Sequence, residues 1–186
     1  MLLTKKQGTE LITLARQSID SYLHNTKLNL TKKLKETYAK EQGVFVTLNL
    51  DGNLRGCIGY PEPTLPLYKA IIDAARAAAF DDPRFPELTK EEFKHIKIEI
   101  SVLTIPEELD VKSPEDYIKK IKIGEDGLII RSRFGSGLLL PQVFTEYECS
   151  VEQSLEMTCQ KAGLSSDEWK NLENKFYKFQ AQIFKE

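Results

Sequence analysis

The spacing of apolar residues changes period several times along this chain, and each change marks an element. Over residues 9–23, Leu11, Ile12, Ala15, Ile19, Tyr22 and Leu23 recur at three- and four-residue intervals, which predicts an amphipathic opening helix. Lys27, Lys32, Lys33, Lys35 and Lys40 then fall among sparse apolar residues, and this stretch reads as a loop with a solvated basic face. The segment GVFVTLNLDGNLRGCIGY, beginning at Gly43, reads as strand, turn, strand. Asp51-Gly52 at its centre signals a hairpin, because a type I′ turn needs positive φ at both positions. Helical spacing returns at 65–80, with Leu67, Ile71, Ala74 and Ala78 on one face and enough alanine for close packing against a sheet. Pro83 and Pro86 end that helix.

Thr89 and Glu92 stand at the spacing of a capping box and predict a short helical turn. Ile96, Ile98, Ile100 and Val102 alternate with polar residues as in a half-buried strand, which Pro106 ends. A short helix is predicted near 114–120. DGLIIRSRFGSGLLLPQV reads as a second hairpin that turns at Gly135-Ser136-Gly137, with Pro141 taking the chain out of the sheet. Residues 151–162 form a further helix, with Gly163 as its C-terminal cap. Tyr177, Phe179, Ala181 and Ile183 alternate along a closing strand. Two hairpins with no regular βαβ repeat predict an α+β fold, a mainly antiparallel sheet flanked by helices, over a single domain spanning 1–186.

Composition narrows the function classes. With 26 basic and 28 acidic residues the formal net charge is −2, so no global field draws nucleic acid or membrane. No run approaches the ~18 apolar residues of a membrane span, and the N-terminal apolar runs are too short for a signal peptide. Cys57, Cys149 and Cys159 cannot all pair and form no C-x-x-C motif, which suits a reducing compartment. The reading is a cytoplasmic protein.

Dinucleotide, P-loop, nucleophile-elbow and zinc-protease motifs are missing, and no cofactor or metal site is predicted. The informative feature is arginine placement. Among 26 basic residues only Arg16, Arg55, Arg76, Arg84, Arg131 and Arg133 are arginine, and Arg55 and Arg84 lie in Gly- or Pro-stiffened segments. A planar guanidinium on a stiff backbone suits a carboxylate or phosphate. The competing reading is a structural ion pair, for instance Arg84 with Asp81 or Asp82. Cys57 reads either as a small buried hydrophobe or as a nucleophile whose pKa Arg55 lowers, since 55 and 57 share one face of a regular strand. Gln142, in GLLLPQV, reads as a neutral hydrogen-bonding group.

Taken in series, GVFVTL…LRGCIG, DPRFPEL, IEISVLT, PEEL, GLLLPQV and the later C-x-KAGL resemble the AMMECR family, named for a human chromosomal region linked to Alport syndrome, midface hypoplasia and elliptocytosis. The likeness runs from about Gly43 to Phe184. It implies an α+β fold in a larger and a smaller subdomain, with Leu54, Arg55, Gly56, Cys57, Ile58 and Gly59 lining a cleft. Asp82, Pro83, Arg84 and Phe85 match the family's D-P-R-F element, and Leu140 to Val143 match its L-P-Q-V. Cys149 departs from the tryptophan that relatives often carry near that position. Family members have no settled activity. Bacterial and archaeal members are similar to one component of a system with a Memo-type protein and a radical S-adenosylmethionine enzyme, and human relatives have been linked to nuclear regulation.

The expectation is therefore an accessory component that binds a partner or a small anionic or carbonyl-bearing ligand through Arg55, Gly56, Cys57, Gly59, Asp82, Arg84 and Gln142. The alternative is an enzyme with Cys57 as nucleophile or redox thiol. A nucleic-acid role, resting on the lysine stretch and Arg131-x-Arg133, ranks third.

Overall fold

Asp51 (φ 51°) and Gly52 (φ 81°) close a two-residue turn between β1 (Val44–Leu50) and β2 (Asn53–Tyr60), the geometry a type I′ hairpin requires. The structure, a computed structural model, describes residues 2–186. They fall into two units, one of residues 2–103 with Gln182–Glu186 and one of Thr104–Ala181. The strand pairings are antiparallel and the fold is α+β.

In the first unit β2 pairs with β1, and β1 with β3 (Lys97–Leu103). The end of β7 (Lys175–Lys185) follows β3, and the Glu186 N–H donates to the Ile98 carbonyl. Alternation sends Val44, Val46 and Leu48 of β1 and Ile98, Ile100 and Val102 of β3 to one face. There they meet α1 (Lys5–Leu23) through Leu11, Leu14 and Ile19, and α3 (Leu67–Phe80) through Ile71 and its alanines. Each large apolar side chain buried this way contributes ~1.5–3 kcal/mol. Thr4 and Gln7 cap α1 reciprocally, and Thr89 and Glu92 do the same for α4 (Lys90–Phe93).

The lysine-rich stretch is not all loop. Residues Lys32–Thr37 form α2, because Thr31 accepts the Leu34 N–H at 3.1 Å and Leu34 packs against the core while the lysines face water.

The second unit builds its own sheet. There β5 (Asp126–Ser132) lies between β6 (Gly135–Leu139) and β7, and β4 (Glu107–Glu108) pairs with β7. Packed on it are α5 (Glu115–Lys120), α6 (Pro141–Glu146), α7 (Val151–Lys161) and a 3-10 turn, Ser166–Lys170. Tyr117 stands 5.2 Å from Phe176 and 6.5 Å from Trp169, ring centre to ring centre, in the middle of this core.

The second hairpin turns at Arg133-Phe134, with Ser132 opposite Gly135, and not at the predicted glycines. Gly135 and Gly137 are strand residues whose lack of a side chain admits the end of α7. A Cβ on Gly135 would lie 2.6 Å from the Ala162 carbonyl oxygen, and one on Gly137 2.6 Å from the Ala162 nitrogen. Pro141 does take the chain out of the sheet, as the first residue of α6. Gly163 (φ 75°) follows α7. Among the described residues no helix is long and apolar enough to cross a membrane.

Glu148, between α6 and α7, holds a left-handed φ of 49°, which disfavours a side chain. Glu148→Gly is expected to raise unfolding stability by ~0.5–1 kcal/mol, and Gly163→Ala to lower it by about 1 kcal/mol, both read from urea denaturation midpoints.

Candidate functional site

β2 is the edge strand of its sheet, and its register slips once. Gly56 pairs with Leu48 but Leu54 pairs with Asn49, so Arg55 is an extra residue in a β-bulge. The bulge breaks the alternation that would put residues 55 and 57 on one face. Both glycines of the motif are explained by close approach. A Cβ on Gly56 would sit 2.0 Å from the Ala78 carbonyl oxygen, since the backbone of α3 lies directly against the strand. One on Gly59 would sit 2.2 Å from the Val44 oxygen.

The bulge sends Arg55 to Glu92. Arg55 Nε donates to Glu92 Oε1 at 2.9 Å and Nη2 to Oε2 at 3.1 Å, with a third bond from Nη2 to the Glu87 carbonyl at 3.3 Å. Arg55 is 7% exposed. The same Glu92 carboxylate caps α4 through the Thr89 N–H. Arg55 above all, together with these bonds, holds the Glu92 pKa down at about 2.

Arg84 is bound to Asp82 instead. Its Nε donates to Oδ1 at 2.9 Å, its Nη2 to Oδ2 at 2.7 Å and its backbone N–H to Oδ1 at 3.1 Å. Asp82, 4% exposed, also accepts the Cys57 N–H at 2.9 Å, while Arg84 Nη2 donates to the Cys57 carbonyl at 3.1 Å. The two side chains thereby satisfy the outward backbone groups of Cys57 as a neighbouring strand would, and blunt the sheet edge. Hydrogen bonding to Arg84 is the main reason the Asp82 pKa is lowered to about 2. The Phe85 ring joins the two pairs, with the Arg55 Cζ 5.9 Å and the Arg84 Cζ 5.5 Å from its centroid.

Cys57 is half-buried and faces Thr47, whose hydroxyl donates to Sγ at 3.2 Å. Burial pushes the thiol pKa up, and the Thr47 hydroxyl and the Arg84 charge offset this only in part. The cation that acts on the thiol is therefore Arg84, not Arg55 as strand alternation predicts. Thr47 also pairs with Glu99 on β3, and Lys185 Nζ lies 2.7 Å from that carboxylate, giving a polar row of Cys57, Thr47, Glu99 and Lys185.

Arg55, Gly56, Cys57, Gly59, Asp82 and Arg84 thus all belong to the first unit. Gln142 belongs to the second, in the first turn of α6. Thr47, Phe85, Glu92 and Glu99 also contribute, although none of them is among the predicted site residues. Phe85 was adjacent to Arg84, and Glu92 stood in a capping box, but no local signal links either to Arg55. Among the described residues no group of three or more His, Cys, Asp or Glu side chains gathers as metal ligands would.

Both Asp82 and Glu92 have pKa values below those of free carboxylates, so their stabilisation is complete above the unfolded range near 4 and fades as pH falls towards about 2. Acid unfolding followed by circular dichroism should show this loss, and Asp82→Asn should remove part of it. Arg55→Lys cannot keep the paired bonds to Glu92 and is expected to cost ~1–2 kcal/mol, with Arg55→Ala costing about 3. Iodoacetamide labelling of Cys57 should follow an apparent pKa no lower than the free thiol's ~8.5.

Comparison with known proteins agrees with this architecture along the whole chain. The model of the AMMECR1 family matches residues 12–184. A protein of Methanothermobacter thermautotrophicus is 49% identical over 99% of this chain and 96% of its own length. One of Methanocaldococcus jannaschii is 48% identical over 100% and 92%. The crystal structure of an uncharacterized protein from Pyrococcus horikoshii superposes with a TM-score of 0.94 at 44% identity, covering 99% of this chain and 93% of that one. The chain belongs to the AMMECR1 family.

Proposed function

We propose that this protein is an accessory component that binds a small anionic or carbonyl-bearing group, free or carried by a partner, at the β2 edge. The observation that carries the reading is the state of Arg84. Its side chain is 48% exposed, yet Nε and Nη2 are fixed by Asp82, whose own side chain is 2% exposed. A guanidinium held in place while open to solvent loses little entropy when it meets an anion, and Nη1 is the donor left for it. Arg55 acts from below as a positioning residue, holding Phe85 and α4 through Glu92. The accessory role, alongside a Memo-type protein and a radical S-adenosylmethionine enzyme, rests on the family resemblance.

An enzyme with Cys57 as nucleophile has less support. A thiol raised by burial is protonated near neutral pH, and its hydrogen-bonding partner is a threonine hydroxyl rather than a base.

The test is an NMR titration of the full chain with acetate, succinate and inorganic phosphate, following the Cys57 and Arg84 amides. At least one anion is expected to shift them saturably, and Arg84→Gln should weaken it about tenfold or more, the scale of a charge-assisted hydrogen bond. No response to any of the three, or an unchanged affinity in Arg84→Gln, would sink the anion reading. For the accessory role, Arg84→Glu should abolish co-purification of the Memo-type or radical enzyme partner from co-expressing cells.

A further inference from the structure

The Asp82–Arg84 pair closes the β2 edge at one residue and leaves the next outward-facing residue open. The Cys57 N–H donates to Asp82 and the Cys57 carbonyl accepts from Arg84, so both backbone groups of Cys57 point away from β1. In an antiparallel ladder such a residue belongs to a non-hydrogen-bonded pair, and that state recurs at every second residue. The register runs unbroken from Cys57, opposite Thr47, to Gly59, opposite Phe45. Gly59 therefore turns its own N–H and carbonyl outward. A Cβ on Gly59 would lie 2.6 Å from the Phe45 Cα, which fits the short Cα separation of a non-hydrogen-bonded pair. Among the described residues no hydrogen bond from outside the ladder meets either Gly59 group. Part of the Gly59 surface remains in water.

An outward N–H and carbonyl on an edge strand form a template for one residue of extended polypeptide. A chain added antiparallel to β2, as every other pairing of the sheet is, runs from Tyr60 towards Cys57. It cannot continue its pairing at Cys57, where Asp82 and Arg84 already hold both backbone groups. What it meets there is a positive charge, because the Arg84 side chain is 48% exposed and its counter-ion Asp82 only 2%. That charge suits a C-terminal carboxylate and opposes the N-terminal ammonium that a parallel chain would bring.

We propose that the β2 edge binds the C-terminal residue of an extended partner polypeptide. Its carboxylate accepts from Arg84 Nη1 and the Gly59 N–H, and its own N–H donates to the Gly59 carbonyl. This rests on the reading of Arg84 as an anion-binding residue and specifies the anion. A C-terminal proline, which has no N–H to donate, does not fit.

The experiment is an NMR titration of the full chain with four probes: acetate, N-acetyl-tetraalanine acid, its C-terminal amide, and the acid N-methylated at its last peptide bond. The tetraalanine acid should shift the Gly59, Cys57 and Arg84 amides and bind about tenfold or more tighter than acetate. The amide lacks the charge and the N-methylated acid lacks the donor to Gly59, and each should bind about fivefold or more weaker than the parent acid. Both probes leave the protein unaltered, so neither result depends on a variant that folds. Arg84→Gln should remove the preference for acid over amide. If acetate binds while the tetraalanine acid binds no tighter, or its N-methylated form binds as well, the terminal-residue proposal falls and the small-anion reading stands. An Arg84→Gln protein that still prefers acid over amide would also overturn the proposal. If neither acetate nor the acid shifts these amides, both readings fall together.

Discussion

At the edge of the first sheet the buried Asp82 carboxylate accepts the Cys57 N–H and receives Arg84 through two side-chain nitrogens and its own backbone N–H. One anion thereby fixes a strand, the loop after α3 and a half-exposed cation. Such a group is costly to bury unless each lone-pair direction finds a donor, and here several do. The arrangement also explains how a short, glycine-containing edge strand stays ordered and is closed at Cys57 to pairing along its whole length.

The rest of the site follows from how closely β2 and α3 approach. With the Ala78 carbonyl against Gly56, no side chain fits on that face of the strand, and the bulge turns Arg55 aside to Glu92. Cys57 remains opposite Thr47, in surroundings that keep it a thiol. The two arginines meet around Phe85 but have unequal freedom, one buried in a paired salt bridge and one half in water. A division into one supporting and one ligand-facing guanidinium is the simplest chemical use of that difference. On the proposed reading, these residues serve recognition rather than covalent chemistry.

The second unit concentrates its chemistry differently. Its sheet and helices enclose an aromatic core of Tyr117, Trp169 and Phe176, and the edge of that core reaches the surface between α5, α7 and the 3-10 turn. The AMMECR1 relationship covers both units, so both surfaces belong to the part of the chain the family shares.

Most of the longer elements were legible from local signals, because 3.6- and 2-residue repeats, Asp-Gly, capping residues and Pro83 act over a few residues, whereas the short α2, β4 and α6 were not. The family motifs likewise carry Arg55, Cys57, Asp82 and Arg84, which the fold brings together in the first unit, and Gln142, which belongs to the second. Other features depend on contacts between residues far apart in the chain. Gly135 and Gly137 look like a turn in one dimension, and only the packing of α7 makes them strand residues. The pairing of Arg55 with Glu92, the bulge that permits it and the rise in the Cys57 pKa all arise from burial and register, which no local spacing encodes. Sequence by itself determined which residues were chemically available and which elements carried them. Tertiary structure decided which charges neutralise one another and which remain exposed, because desolvation and hydrogen bonding act only once the chain has folded.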